Sequence, residues 1–373
     1  MRLFLSLLRH AFRKMHHLPS SPPPDIPTPF PTALLAETRR HRLTGLFEAG
    51  LDLSLHLDSK TAAAWRRSLL GQTRHHATCS TEAESILHTL NHHLKQAFLI
   101  KGPALAAQAW PCPDLRHFDD LDIHLPKISY PSLRTAMASI GYHPLENPPL
   151  RQAHLWHYGW GITFKGEAGI RVEFNHRYFP PFYPVPPQLA GGQLPPLIDI
   201  TLDQTTAPTL IPSLHLLYAS LHAAWHDWER LSWLVDIGGL LIRHPDAFSQ
   251  ARAATRPATF ARTALDLSCR LCSGLFGEDV IPPPPGADRL AESSTVLASL
   301  DDPSAPHDPA RQGRHHRTFM NSRARILYTL KRACLPGDPD FTLLALPPPL
   351  RFLYWPLRLA RIAYRSIVKP GSS

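Results

Sequence analysis

Phe98-Leu-Ile-Lys-Gly-Pro-Ala-Leu-Ala106, followed by Leu115-Arg-His-Phe-Asp-Asp-Leu-Asp-Ile-His-Leu125, decides how this chain is read. The second stretch sets Asp120 and Asp122 in an apolar run with strand character. Alternation along a strand points both carboxylates to one face. Acids paired on one face of a buried strand repel each other and need a cation. A hard divalent ion, Mg²⁺ or Mn²⁺, is the natural partner, because it takes oxygen ligands and is commonly held by carboxylates together with substrate phosphates. The chemistry implied is phosphoryl or nucleotidyl transfer.

Working outward, residues 96–100 read as a short strand. Lys101-Gly102-Pro103 makes a turn, and Pro103 suits the first position of a helix reaching Trp110. Residues 119–125 form the next strand, and 129–140 a helix stopped by Gly141. Residues 156–164 and 170–174 read as antiparallel strands joined by a turn at 165–169. Strand, helix, strand, helix, strand, strand is thus the order from 96 to 175. Residues 32–95, 209–243 and 257–276 carry helical periodicity. The fold class expected is α+β: a small mixed sheet with flanking helices and helical N- and C-terminal segments. The divisions are a basic, proline-rich segment over 1–31, helices over 32–95, a core over 96–200, a helical domain over 201–280, a polar connector over 281–320 (most flexible at 286–318) and a basic helical tail over 321–373.

At 373 residues the chain can bury a substantial core, and its 40 prolines cluster between apolar segments as stiff connectors. A net charge of +9 suits a phosphate-bearing partner. No aromatic-plus-glycine RNA-binding signature or Cys/His finger is present. Five scattered cysteines argue against a disulfide framework and for a reducing cytoplasm. Cys269 and Cys272 have zinc or redox spacing, but they lie in a helical pattern without a second ligand pair. No apolar run is long enough to span a bilayer, and residues 1–10 make a poor signal peptide. The tail over 351–369 places Arg351, Arg358, Arg361, Arg365 and Lys369 among Leu, Ile, Tyr and Trp. It reads either as a helix on an acidic membrane surface or as a docking helix with a solvated basic face.

Metal-assisted transfer needs carboxylates gathered from different strands and groups that hold phosphate. Lys101 and Gly102 sit at a helix start, which favours an anion. Glu173, in the strand Arg171-Val-Glu-Phe-Asn175, brings a third acid. Glycine turn and helix, acidic strand, then a hairpin carrying another acid is the arrangement of polymerase-β-type nucleotidyltransferases. Leu99-Ile-Lys-Gly-Pro-Ala-Leu-Ala106, Leu115-Arg116, Asp120-Leu-Asp122, Ile140-Gly-Tyr142 and Val172-Glu-Phe174 resemble the uncharacterised bacterial nucleotidyltransferase family in which a Lys-Gly turn replaces the Gly-Ser of better-known relatives. The runs 215–222 and 228–236 are similar to that family's helical segment. The resemblance covers roughly residues 80–245.

The resemblance implies a nucleotidyltransferase sheet, with Asp120 and Asp122 as metal ligands and Glu173 as the third acid, ligating the same metals. Lys101 and Gly102, with Arg116, would meet the triphosphate of a nucleotide such as ATP. The acceptor stays open among protein, small molecule, sugar and RNA end. The rival expectation is a non-catalytic nucleotide sensor or scaffold that keeps the fold. Two departures stand out: His124 replaces an apolar residue, and His176 falls one residue later than the usual acid-x-His.

Other residues carry alternatives. Arg116 either braces the acids by a salt bridge or contacts substrate. His124 is in phase with the acids and reads as a hydrogen-bonded strand histidine or a nucleotide contact. His222 and His226 share a helix face, as a zinc pair would, or they pack or line an acceptor pocket. Asp236 pairs with a local arginine or caps backbone. Trp225, Trp228 and Trp233 read as core or as a stacking surface.

Overall fold

The computed structural model describes residues 2–19, 24–93, 96–125, 128–145, 148–190, 194–202, 205–285, 316–317 and 319–368. Its helices are α1 (Arg2–Met15), α2 (Thr32–Arg40), α3 (Thr44–Leu51), α4 (Ser59–His93), α5 (Pro103–Ala109), α6 (Tyr130–Ala138), α7 (Pro149–Tyr158), α8 (Pro212–Trp225), α9 (Leu231–Arg243), α10 (Ala247–Ala253), α11 (Phe260–Phe276), α12 (Ser322–Cys334), α13 (Asp338–Leu343) and α14 (Tyr354–Val368). The strands are β1 (Phe98–Leu99), β2 (Asp120–His124), β3 (His143–Pro144), β4 (Gly161–Lys165), β5 (Arg171–Asn175), β6 (Leu197–Leu202) and β7 (Thr205–Leu210).

The fold is α+β, and its strands form one seven-stranded mixed sheet in the order β3-β4-β5-β2-β1-β7-β6. β2 runs parallel to β5 and antiparallel to β1, and β1 runs parallel to β7. Side-chain alternation puts two of the three hydrophobic clusters on opposite faces of the sheet; the third gathers Phe341, Leu346 and Tyr354 near α7. Leu99, Leu121, Ile123, Val172 and Phe174 pack on one face with Leu87 and Leu90 of α4 and Leu133 and Met137 of α6. Phe98 and Ile100 enter the other core, with α1, α3, α8, α9 and α11. Asp120, Asp122 and His124 alternate with Leu121 and Ile123, so they face this second, helical layer.

Several elements differ from the sequence expectation. Trp156 is not in a strand: the prolines at 148 and 149 start α7, whose buried face includes Trp156, and β4 begins only at Gly161. One apolar run straddles a helix end and a strand start, which periodicity cannot separate. The β6–β7 hairpin went unforeseen, because Pro208 and a mixed polar pattern hide a strand at the sheet's border. The sheet therefore continues past residue 200, to Leu210. Near the N-terminus, Phe4, Leu7, Leu8 and Phe12 of α1 are buried in the helical core, and Arg13 pairs with Asp279 at 2.7 Å. Most of the polar connector expected over 286–318 lies outside the described residues.

Toward the C-terminus, α14 docks with Arg358 and Arg361 turned inward. Arg358 and Arg361 reach the buried Asp340 at 3.0 and 2.6 Å, while Trp355, Leu359 and Ile362 face outward. A solvated basic face is therefore not how this helix packs. All five cysteines are unpaired thiols, and Cys272 donates weakly to the Leu234 carbonyl. No helix of the described residues is long and apolar enough to cross a membrane.

Candidate active site

The central strands bring three acids together. β2 and β5 pair so that Asp122 lies directly opposite Glu173, and Asp120 lies opposite Arg171. Parallel partners in register point to the same face, so Asp120, Asp122 and Glu173 share one surface of the sheet. Asp122 is 2% exposed, whereas Asp120 and Glu173 remain partly open.

Lys101, the residue after β1 and Ile100, answers this negative charge. Its Nζ lies 2.6 Å from Asp122 Oδ1. Burial alone would lower the lysine's pKa, but Asp122, with Tyr218 and Glu173 beyond it, raises it well above the ordinary value. Burial and repulsion from Asp122 push Asp120 up to about 6, against the pull of Lys101 and Arg171. Asp122 is also raised, first by burial and then by Glu173, with Lys101 opposing. One ammonium does not balance three buried or half-buried carboxyls. Their all-oxygen donor set and surplus of negative charge fit a hard divalent cation. Among the described residues, no three metal-ligating side chains are already gathered into a finished cage.

Gly102 has φ +53, a conformation that favours glycine, and a Cβ there would come within 3.3 Å of the Asp120 carbonyl oxygen. α5 follows and is only seven residues long, so its dipole contributes little. Arg116 secures the turn. It makes two hydrogen bonds to Asp236, at 2.8 and 2.9 Å, and donates to the Gly102 carbonyl at 3.2 Å. Trp110 Nε1 completes Asp236 at 2.7 Å. Arg116 thus acts as a brace, and the partner of Asp236 is not local: it lies 120 residues away.

Two cavities meet at Lys101, His222 and His226. One, of about 230 Å³, holds Asp120, Asp122 and Gly102 with Arg42, His117 and Arg230. The other, of about 170 Å³, holds Glu173 and Asn175 among Trp160, Tyr178, Phe179, Tyr218 and Trp225. A model of an uncharacterised nucleotidyltransferase family matches residues 30–277, which span both cavities and the whole sheet. The chain belongs to that nucleotidyltransferase family. No curated protein and no solved structure matches it.

The residues singled out around the acids do not all reach the cleft, nor do they always serve in the expected capacity. His124 Nδ1 has no hydrogen-bond partner among the described residues; the ring stacks on Tyr178, centroids 4.1 Å apart, and meets Phe98 at a tilt, 5.0 Å away. Burial drives its pKa down to about 3, which keeps the ring neutral. His176 packs on Trp156 at 4.5 Å, away from the acids' surface. His222 and His226, 4.8 Å apart, both pack on Trp233 and line both cavities. Trp228 is core and donates to Ser268 Oγ, while Trp225 and Trp233 reach the cavities.

Sequence reasoning missed several residues of the cleft. Arg42 sits between α2 and α3 with φ +58 and forms an ion pair with Asp119. Arg230 lies over the Trp233 ring at 5.6 Å. Neither belongs to a motif, and only folding brings them beside Asp120. Asn175 and Tyr178, just past Glu173, had a weak signal in the polar end of an otherwise apolar strand.

Proposed function

We propose that the chain transfers a nucleoside monophosphate from a nucleoside triphosphate to an acceptor hydroxyl. The observation that carries this is the register of β2 against β5, which faces Asp120, Asp122 and Glu173 together beside Lys101. Asp120 and Asp122, with Glu173, would hold Mg²⁺ or Mn²⁺, which would supply neutralisation of the phosphate charge. Arg42, Arg230 and His117 line the cavity that receives the phosphates, with Gly102 allowing close backbone approach and Lys101 adding charge. Arg116 positions the Lys101-Gly102 turn through Asp236.

The acceptor oxygen attacks the α-phosphorus and forms a new P–O bond. The bond from that phosphorus to the bridging oxygen breaks, pyrophosphate leaves with the electron pair, and the acceptor proton passes to the Glu173 carboxylate. The ion pair of Lys101 with Asp122 favours a second reading, a nucleotide sensor that binds without turnover, because the ammonium takes up part of the charge that would otherwise hold a metal. A reducing compartment such as the cytoplasm suits the five free thiols. Membrane contact through 351–369 is not part of the proposal, since Arg358 and Arg361 are committed to Asp340.

Calorimetric titration with each of the four ribonucleoside triphosphates, with and without Mg²⁺, tests the site. Metal-dependent binding that is lost in Asp120→Asn/Asp122→Asn supports it. Binding by a folded wild-type protein that persists in the double variant defeats it. Binding without any labelled product, and indifferent to Glu173→Gln, selects the sensor.

A further inference from the structure

The inward pairing of Arg358 and Arg361 leaves the apolar side of α14 in water, and α12 beside it does the same. Both helices are firmly seated by their other faces. Tyr328 of α12 is buried in the helical core, its ring edge-on to Phe182 with centroids 5.7 Å apart. Tyr354 of α14 is buried against Phe341. Arg358 joins the two helices: it donates to the Ala333 carbonyl of α12 at 2.8 Å while it holds Asp340 at 3.0 Å. What points outward is apolar. Ile326, Leu327 and Leu330 on α12, Phe352 just before α14, and Trp355 and Leu359 on it are between 47% and 66% exposed. The α12 residues fall one and four positions apart and the α14 pair four apart, so each set shares one helix face. A single exposed apolar side chain is ordinary, but whole faces of seated helices mark a surface that meets something else.

The charge around these faces has one sign. Residues 319–369 carry nine lysines and arginines against two acids, and both acids are already matched. Asp340 is buried under Arg358 and Arg361, and Asp338 pairs with Arg151 at 2.7 Å. On α12, Arg323, Arg325 and Lys331 are exposed. Arg323 and Lys331 each stand four residues from Leu327, so they flank the apolar stripe. A second copy of the chain would set these cations against their like. A phospholipid surface bearing negative charge answers both demands, with hydrocarbon for the apolar side chains and phosphates for the cations. Trp355 suits the boundary between the two.

We propose that α12 and α14 together form a surface that docks on membranes containing anionic phospholipid. The apolar side chains enter the headgroup boundary, and Arg323, Arg325 and Lys331 meet lipid phosphates. The cations come from α12, so the commitment of Arg358 and Arg361 to Asp340 exposes this surface rather than removing it. The docking is peripheral, since no helix of the described residues is long and apolar enough to cross a bilayer. It stands independently of the transfer chemistry.

The test is co-sedimentation of the full chain with vesicles of phosphatidylcholine alone or mixed with phosphatidylglycerol, at low and high salt. Two double variants at exposed positions are run alongside, each with its thermal unfolding midpoint. Trp355→Gln/Leu359→Gln removes apolar contact on α14, and Arg323→Gln/Lys331→Gln removes only charge on α12. Binding to the mixed vesicles that weakens with salt, and at least tenfold in each variant with the midpoint unchanged, supports the proposal. Equal binding to both kinds of vesicle, or binding unchanged in either variant, overturns it. No binding to either vesicle overturns it and leaves the surface to an acidic protein. Concentration-dependent self-association without lipid, lost in Trp355→Gln/Leu359→Gln, overturns it by giving the surface to a second copy.

Discussion

Asp122 and Asp236 are equally buried, 2% and 1% exposed, and a few side chains apart, yet their surroundings are opposite. Asp236 has both oxygens met by Arg116 and a third bond from Trp110. Asp122 has one lysine, faces Glu173, and shares its strand with Asp120. The C-terminal Asp340 repeats the first pattern. Burial would raise its pKa, but Arg361, the Gly337 N–H and Arg358 hold it below the usual value. A fully matched aspartate fixes structure. An under-compensated one is what the proposed transfer requires, since it keeps negative charge for a cation, and perturbed carboxyls in a cleft are candidates for chemistry.

The comparison breaks most sharply by mutation. Asp122→Asn is expected to lower transfer by about a thousandfold or more, measured with labelled nucleotide, since charge placed at a reacting phosphate is commonly worth several kcal/mol. It also leaves Lys101 without its carboxylate, so thermal unfolding shifts downward. Asp236→Asn is expected to cost about 3–5 kcal/mol in a denaturant titration, the usual consequence of stranding a buried arginine. It should weaken nucleotide binding only by loosening the Lys101-Gly102 turn. If Asp122→Asn destabilises the protein as much as Asp236→Asn and transfer survives, the two aspartates are alike and the contrast fails.

Acid sharpens the same comparison. His41, His124 and His215 are lowered to about 3, and His16 and His176 to about 4, in each case chiefly by burial. Below about pH 6.5 the unfolded chain gains protons on these rings that the fold refuses. Their contribution is complete above that pH and is lost as pH falls toward the folded values. Stability should fall between pH 6.5 and 4 by up to about 1.4 kcal/mol per ring for each unit, read as unfolding midpoint against pH. His124→Phe, which keeps the stack on Tyr178, should flatten the slope.

The smallest effect has the opposite sign. Asp120 is raised to about 6, above its unfolded value, so its ionised form opposes folding at neutral pH and the penalty fades as pH falls through 6. Asp120→Asn should therefore stabilise the apo-protein by about 1 kcal/mol at pH 7.5, discounted for its partial exposure, while abolishing transfer. The advantage over wild type should vanish by about pH 4, near the unfolded carboxyl value. Destabilisation by Asp120→Asn at neutral pH would place it with Asp236.

Much of the site's framework was legible because it rests on short-range rules. Period-two alternation puts Asp120 and Asp122 on one face, and Lys-Gly-Pro announces a turn into a helix. The strand holding Glu173 was readable from its apolar alternation. What lay hidden depends on distance along the chain. Arg42 meets Asp119 across 77 residues, and Arg116 meets Asp236 across 120. Trp156 was misplaced because Gly159 and Gly161 cut one aromatic run between helix and strand. The outward apolar face of α14 was equally invisible, since nothing local says that Arg358 and Arg361 will be consumed by Asp340.

The sequence by itself determined the α+β class, the acid strand and its neighbouring turn, because backbone geometry converts residue spacing directly into facing. Only the tertiary structure decided which acid is balanced and which is not. That depends on where arginines and lysines from remote segments come to rest, and on the low-dielectric interior that makes each such match decisive.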